Sequence, residues 1–210
     1  MKKPLILIGG GGHCKSVIDV AESAGYTILG ILDKPEEVGK KVLDYDVIGV
    51  DDDIPNYVDK AEFIITVGFI KNPELRIKLY NKVLEAGGKL ATLIASTAHV
   101  SKYARLGMGT VVMHQSVVNA GAVIGDNVII NTFANIEHDV IIGDQCHVST
   151  GAIINGDAIV ADSTFVGSQS VINQGVIFSG GVIASLSVVN KNTTRRGIYA
   201  GCPAKFIRQL

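Results

Sequence analysis

From Val100 to Ala184 an apolar residue returns at every sixth position: Val100, Leu106, Val112, Val118, Ile124 and Ile130, then on through Ile136, Ile142, Val148, Ile154, Val160, Val166, Ile172 and Phe178. Four residues after each stands a small or β-branched side chain, as at Ala122, Val128, Ala134, Val140, Cys146 and Ala152. A helix repeats near 3.6 residues and a strand at 2, so neither accounts for six. Two inward residues per hexad require short strands separated by tight corners, the construction of a hexapeptide β-helix. If three hexads close one triangular turn, residues about 18 apart stack at roughly 4.8 Å, and the repeat builds about five coils, roughly 24 Å tall. The flat outer faces of such a prism suit packing about an axis, so a cyclic homotrimer with clefts between neighbours is expected.

Composition agrees with a narrow prism. Of 210 residues 47% are hydrophobic but only 6% are aromatic, and there is no Trp. A net charge of -1 offers no electrostatic case for nucleic acid or an anionic membrane. The apolar start from Pro4 to Ile8 runs straight into glycines and is too short for a signal or a membrane span. Cys14, Cys146 and Cys202 form no CxxC pair, which argues for free thiols and a cytoplasmic location. The five histidines form no HxxxH or HExxH, so no metal is expected.

The first 95 residues lie outside the repeat. Residues 3–8 read as a buried strand, Gly9 to Gly12 as a turn, the following residues through Ala24 as a helix stopped by Gly25, and Thr27 to Leu32 as a second strand. This is a βαβ unit. Glu36 to Asp53 reads as polar with a short apolar insert, Val47 to Val50, and with Asp51-Asp52-Asp53 as a solvated turn. Phe63 to Val67 reads as a third strand ending in Gly68, and Pro73 to Ala86 as a helix whose apolar contacts come from Leu75, Ile77, Leu79, Val83 and Leu84. Leu90 to Ile94 is a last strand leading toward the first coil. The expected fold is therefore an α/β N-terminal domain with a small Rossmann-like parallel sheet over residues 1–95. An all-β left-handed parallel β-helix with a C-terminal tail follows over 96–210.

Two places carry chemistry. Gly9-x-Gly11, with Asp33 downstream, partly matches a dinucleotide fingerprint whose third glycine is replaced by Cys14. Such a loop brings backbone N–H groups close to a phosphate; the alternative reading is a plain tight turn. His13 then caps the helix or touches a ligand. In the prism, Asn135-Ile-Glu-His-Asp139 puts His138 two residues beyond inward Ile136, on a corner or outer face. Either Glu137 or Asp139 could hold its ring in one tautomer and raise its basicity. The same spacing fits a solvated histidine beside a solvated acid. Stacking places Ala120 below His138 and Gly156 above it, leaving an open lane past the imidazole. A base beside a glycine N–H that can receive an oxyanion is a workable acyl-transfer site. His147 stacks beneath Phe165 and reads either as a ligand contact or as a packed face histidine; His99 and His114 read as structural.

These stretches carry a family resemblance. Gly9-Gly-Gly-Gly-His13, Ile31-Leu-Asp33, Val67-Gly68, Ile130-Asn-Thr132, Ile136-Glu-His-Asp139, Cys146-His-Val-Ser149 and Gly201-Cys-Pro-Ala-Lys205 resemble the hexapeptide-repeat sugar acetyltransferases of the PglD and NeuD type, nearly end to end. The resemblance implies an acetyl-CoA-dependent N-acetyltransferase acting on a UDP-linked amino sugar, of the UDP-4-amino-4,6-dideoxy-N-acetylhexosamine type that leads to UDP-N-acetylbacillosamine. It implies His138 as general base and Asp139 as the acid behind it. Acetyl-CoA would meet His147, Gly156, Ser168, Ser185 and Asn131, and the nucleotide sugar would meet Gly11, Gly12, His13, Asp33, Lys34 and Gly68. Many relatives have Gly-x-Gly where this chain has Ala184-Ser-Leu186, a departure at the CoA contact. Two rival readings stand beside it: O-acetylation of a sialic-acid-type sugar, and a non-catalytic sugar-nucleotide-binding β-helix.

Overall fold

The computed structural model describes residues 3–210. Strand β1 (Leu5–Ile8), helix α1 (Gly12–Ser23) and strand β2 (Ile28–Asp33) form the βαβ unit. Strands β3 (Lys41–Val42) and β4 (Tyr45–Val50) follow as an antiparallel hairpin, then β5 (Glu62–Ile65) and helix α2 (Glu74–Glu85). The sheet order is β3-β4-β2-β1-β5, parallel except for β3. All four β1 side chains are fully buried, as a continuous aliphatic run between two covered faces demands.

Three sequence expectations need correction here. The insert Val47 to Val50 is part of a six-residue strand: its alternation buries Val47 and Gly49 while the neighbouring acids hide the signal. Asp51 to Asp53 is not a solvated turn but the start of a 3-10 helix, where Asp53 Oδ2 accepts the Val50 N–H at 2.9 Å. On α2 the buried face is Arg76, Leu79, Tyr80 and Val83, whereas Leu75 and Leu84 are exposed. The stripe has helical i, i+3, i+4, i+7 spacing, with an arginine in a core position.

Strand β6 (Leu93–Ile94) pairs with Val111–Val112 and so belongs to the prism, while Leu90 alone still bridges back to Phe63. Two-residue strands then stack in three parallel sheets with partners 18 apart, as Val117↔Asn135↔Ile153 shows on one face. The inward aliphatics and the small residues four positions later are 0 to 5% exposed from Val112 to Phe178. Each corner needs one residue in the left-handed region, and these recur every six positions: Gln115, Gly121, Asn127, Phe133, Asp139, Gln145, Gly151 and Asp157 all have φ between 53° and 79°. This is the left-handed parallel β-helix expected from the hexads.

The last hexad is shifted. Phe165 pairs with Val182 and Val166 with Ile183, so the stacking interval drops to 17, and Ile183 rather than Ala184 points inward. The lost residue is absorbed at Gly180 and Gly181, with φ of 99° and 115°, which a side chain would not tolerate. The tail lies back on the prism as a hairpin: Gly197–Ala200 extends one sheet and, after a turn over residues 201–204, Lys205–Arg208 returns antiparallel beside it. Tyr199 stacks edge-on between Phe178 and Phe206, with ring centroids 5.2 and 5.5 Å apart, and closes the end of the core.

The N-terminal domain covers one face of the prism. Outward-pointing Val111, Met113 and Ile129 are 0 to 1% exposed and share one apolar cluster with Val17, Ile18 and Ala21 of α1. On a second face the corresponding residues Val123, Ile141, Ile159 and Ile177 remain 36 to 46% exposed. Among the described residues no helix is long and apolar enough to cross a membrane.

Candidate active site

His138 and Asp139 sit where one prism face turns into the next. The left-handed corner at Asp139 (φ 58°) folds its carboxylate back, and His138 Nδ1 lies 3.0 Å from Asp139 Oδ2. Glu137, the other acid considered from the sequence, is already engaged: its two oxygens accept amide hydrogens from Asn119 and Asn135, each at 2.9 Å. The hydrogen bond to Asp139, reinforced by the charges of Asp139, Asp157 and Glu137, raises the His138 pKa above its ordinary 6.5. With Nδ1–H given to Asp139, Nε2 is the free basic atom.

The ring lies against Gly156, one coil along. A Cβ built on Gly156 would stand 2.5 Å from His138 Cε1 and 2.6 Å from Nε2, so only glycine allows this placement. Among the described residues no acceptor meets the Gly156 N–H, whereas the N–H of Asp157 is tied to the His138 carbonyl at 3.1 Å. His138, Asp139 and Asp157 also offer three potential metal-ligand atoms within 4.8 Å of one another, all on exposed side chains.

A second group of residues meets at the seam between the domains. His147 points outward from the covered face and is 9% exposed. Its Nδ1–H donates to the Phe69 carbonyl at 2.9 Å. Asn131 accepts the Thr132 N–H on Oδ1 at 2.8 Å, which turns its amide nitrogen toward His147 Nε2, 3.4 Å away. The two contacts agree on one neutral tautomer, with the proton on Nδ1. Burial, together with the Arg76 charge, lowers His147 to about 4. His13, 6.2 Å from His147 between ring centroids, is lowered by the same causes, and by His147, to about 3. Gly68 lies between the two rings; a Cβ there would be 3.8 Å from His147 Cε1 and 3.9 Å from His13 Cγ.

From His147 a groove of about 570 Å³ runs up the prism past Ser149, Phe165, Ser168 and Ser185, with Ile70 and Lys71 on the domain side. Ser149 and Ser168 are hydrogen-bonded at 2.9 Å. Three of the residues assigned to acetyl-CoA from the sequence, His147, Ser168 and Ser185, therefore line one continuous channel. Asn131 stands behind His147, while Gly156 belongs to the His138 corner. The residue shift at Gly180 and Gly181 is what leaves Ala184 and Ser185 facing this groove.

At the glycine loop, Gly11 is the N-cap of α1 and Gly12 its first residue; both are exposed, with no acidic side chain in the first turn. Asp33 fastens the loop, accepting the N–H of Gly10 on Oδ2 and that of Lys34 on Oδ1, each at 2.8 Å. A Cβ on Gly10 would fall 2.7 Å from that carboxylate, so Gly10 is the glycine this approach requires. Beside it Asp33, Lys34, Asp51 and Lys78 border a cavity of about 260 Å³. Asp51 is held above the usual carboxylate range by burial despite Lys82.

Sequence reasoning missed Phe69, Ser149 and Arg76, while the stacking of Phe165 on His147 that it expected is present, with ring centroids 5.1 Å apart. The 18-residue ladder Ile129, His147, Phe165 carried a signal for the covered face; Arg76 carried only its place on the apolar stripe of α2. His114 bridges Thr97 and Asp19 at 2.7 and 3.1 Å, a structural role at the seam.

A parallel β-helix with a histidine–carboxylate pair on one corner, and a groove beside a glycine-loop domain, has the architecture of the hexapeptide-type acyltransferases. Comparison with known proteins makes the class specific. Residues 4–83 match the PglD N-terminal domain, and residues 121–156 match the bacterial transferase hexapeptide (six repeats). PerB from Caulobacter crescentus, solved with CoA and GDP-perosamine, is 31% identical over 98% of this chain and 97% of its own, with a TM-score of 0.90. The acetyltransferase domain of PglB from Neisseria gonorrhoeae, solved with acetyl coenzyme A, is 29% identical over 99% of this chain and 100% of its own, with a TM-score of 0.91. WeeI from Acinetobacter baumannii, at 19% identity and a TM-score of 0.81 over 97% of this chain and 99% of its own, shares the fold. The chain belongs to the PglD-type family of hexapeptide-repeat sugar acetyltransferases, enzymes that use acetyl-CoA as co-substrate.

Proposed function

We propose that the protein transfers the acetyl group of acetyl-CoA directly to the amino group of a nucleotide-linked amino sugar of the UDP-4-amino-4,6-dideoxy-N-acetylhexosamine type. His138 Nε2 takes the proton as the amine attacks the thioester carbonyl, Asp139 holds the ring and stabilises the imidazolium, and the oxyanion rests on the Gly156 N–H. CoA leaves as thiolate, with no acyl-enzyme. The observation that carries this reading is the His138–Asp139 pair laid over Gly156 with its Nε2 unencumbered. His147, Ser168, Ser185 and Asn131 serve acetyl-CoA along the groove. Gly11, Gly12, His13, Asp33, Lys34 and Gly68 serve the nucleotide sugar, with the helix N-terminus available to its phosphates. The division of labour keeps residues 1–95 for the nucleotide sugar and 96–210 for transfer.

The test follows free thiol on mixing acetyl-CoA with UDP-linked and GDP-linked 4-amino sugars and with sialic acid. Release with the UDP-amino sugar supports the reading. Release with the GDP sugar alone, the nucleotide found in the PerB complex, would correct the nucleotide; release with sialic acid alone would make the acceptor a hydroxyl. No release from any acceptor would leave only a binding module.

The pH dependence has a defined sign. A base acts when deprotonated, and His138 is raised, so activity is lost as pH falls through a value above 6.5. Asp139→Asn keeps a residue that tolerates the left-handed corner and removes the charge. The acidic limb of kcat/KM then moves to lower pH while the plateau of kcat drops; an unmoved limb would remove Asp139 from this role.

The exposed ladder Val123, Ile141, Ile159 and Ile177 supports a homotrimer. These are stacked aliphatics on a flat face that a neighbouring copy would cover. Light scattering should return the mass of three chains; a monomer at assay concentration would overturn it.

A further inference from the structure

Arg76 is 1% exposed, yet no carboxylate meets its guanidinium. A buried cation is costly unless its N–H groups are well used, so its partners matter. Nη1 donates to the carbonyls of Ile65 at 2.7 Å and Val67 at 2.9 Å, at the end of β5 and just beyond it. Nε donates to the Asn127 carbonyl at 3.2 Å, on a corner of the prism. One turn further along α2, Tyr80 donates to Asp126 on the same corner at 2.8 Å. The guanidinium therefore locks the segment after β5 to the prism from inside.

That segment touches both halves of the site. The Thr66 hydroxyl, between the two clamped carbonyls, lies 2.8 Å from the Ile8 carbonyl and 2.5 Å from the Gly9 carbonyl of the glycine loop. Gly68 separates His13 from His147, and Phe69 presents its carbonyl to His147 Nδ1–H. We propose that Arg76 is a positioning residue for acetyl transfer: by clamping Ile65 and Val67 to the prism it aims the Phe69 carbonyl at His147, which fixes the Nδ1–H tautomer and leaves Nε2 an acceptor beside Asn131 and the groove. The assignment rests on the proposed contact between His147 and acetyl-CoA. The groups facing His147 agree with it: His13 from α1, Arg76 from α2 and Asn131 from the neighbouring strand end supply no negative charge, and the Arg76 field helps to keep both imidazoles neutral. Arg76 itself stays protonated at neutral pH, although burial pulls it down to about 9.

The test combines histidine nitrogen NMR on the free protein with kinetics. In the wild type, His147 should show a single neutral Nδ1–H tautomer down to a pH of about 4. In Arg76→Met, which fills the space but leaves three carbonyls unpaired, both tautomers should appear and His147 should titrate at higher pH. Its kcat should fall about 10²-fold, the scale expected of a misplacement near 1 Å. Arg76→Lys keeps the charge without the fork, so His147 should stay neutral while kcat is restored only in part. A folded Arg76→Met protein with the wild-type tautomer and kcat would overturn the proposal. So would an Nε2–H tautomer in the wild type, a measurement that stands even if the Met variant fails to fold. The spectra need no acetyl-CoA: the expected tautomer in a protein that transfers no acetyl group would sink the functional reading, not the clamp.

Discussion

Replacing His138 by Ala should lower kcat by about 10²- to 10⁴-fold, the usual worth of a positioned general base. The melting temperature should barely move, because the side chain is 54% exposed and its hydrogen-bond partner, Asp139, is equally open to solvent. The corner is set by backbone, with Asp157 N–H on the His138 carbonyl and the Asp139 N–H on that of Ala120, and both bonds survive truncation of the side chain. Binding of acetyl-CoA should persist too, since the groove begins at His147 and runs away past Ser149 and Ser168. Calorimetry with CoA and a thiol-release assay separate the two effects; turnover within a few-fold of wild type would remove His138 from the mechanism.

Gly156→Ala should cost nearly as much while changing a residue that bears no reactive group. Its new methyl would occupy space 2.5 Å from His138 Cε1. Gly156 carries no left-handed φ, so the backbone accepts alanine, and the exposed imidazole is the part free to yield. It swings off the glycine, breaking its alignment with Asp139 and with the amide proposed for the oxyanion. A displacement of the base by about 1 Å is enough for a loss on the order of 10²-fold. The expected signature is a kcat effect with an almost unchanged melting temperature and a His138 pKa moved back toward 6.5. A folded Gly156→Ala enzyme with wild-type kcat would show that the stacked arrangement is incidental.

Much of this geometry could be read from spacing. The hexads located the prism, its inward residues as far as Phe178 and the stacking of His138 on Gly156, because a period of six has few other solutions. The choice between Glu137 and Asp139 could not be read: it depends on Asn119, 18 residues away, taking Glu137 out of contention, and on a corner dihedral that only Asp139 occupies. Strand β4 was obscured because Asp46 and Asp51 to Asp53 interrupt its hydrophobic pattern. The seam was the hardest part. From spacing His147 read either as a ligand contact or as a packed face histidine, and nothing in a linear pattern says that another domain lies over that face. Arg76 was not singled out at all, since arginine in a sequence does not announce burial.

The stacking interval has a further consequence for how such a chain can change length. Within the regular coils, a segment inserted or removed in units of 18 leaves every inward side chain and every left-handed corner in phase, whereas one residue more or less turns the apolar ladder outward from that point on. Among the described residues the parallel stacking leaves the unit in the last coil, falling to 17 where Phe165 meets Val182 beyond Gly180 and Gly181 and to 16 where Gly181 meets Gly197, and few strands remain above to be thrown out of step. Length variation is therefore quantised through the body of the prism and continuous only at its end, beside the groove. The end of the groove can be remodelled residue by residue, while the catalytic corner stays locked to a coil count.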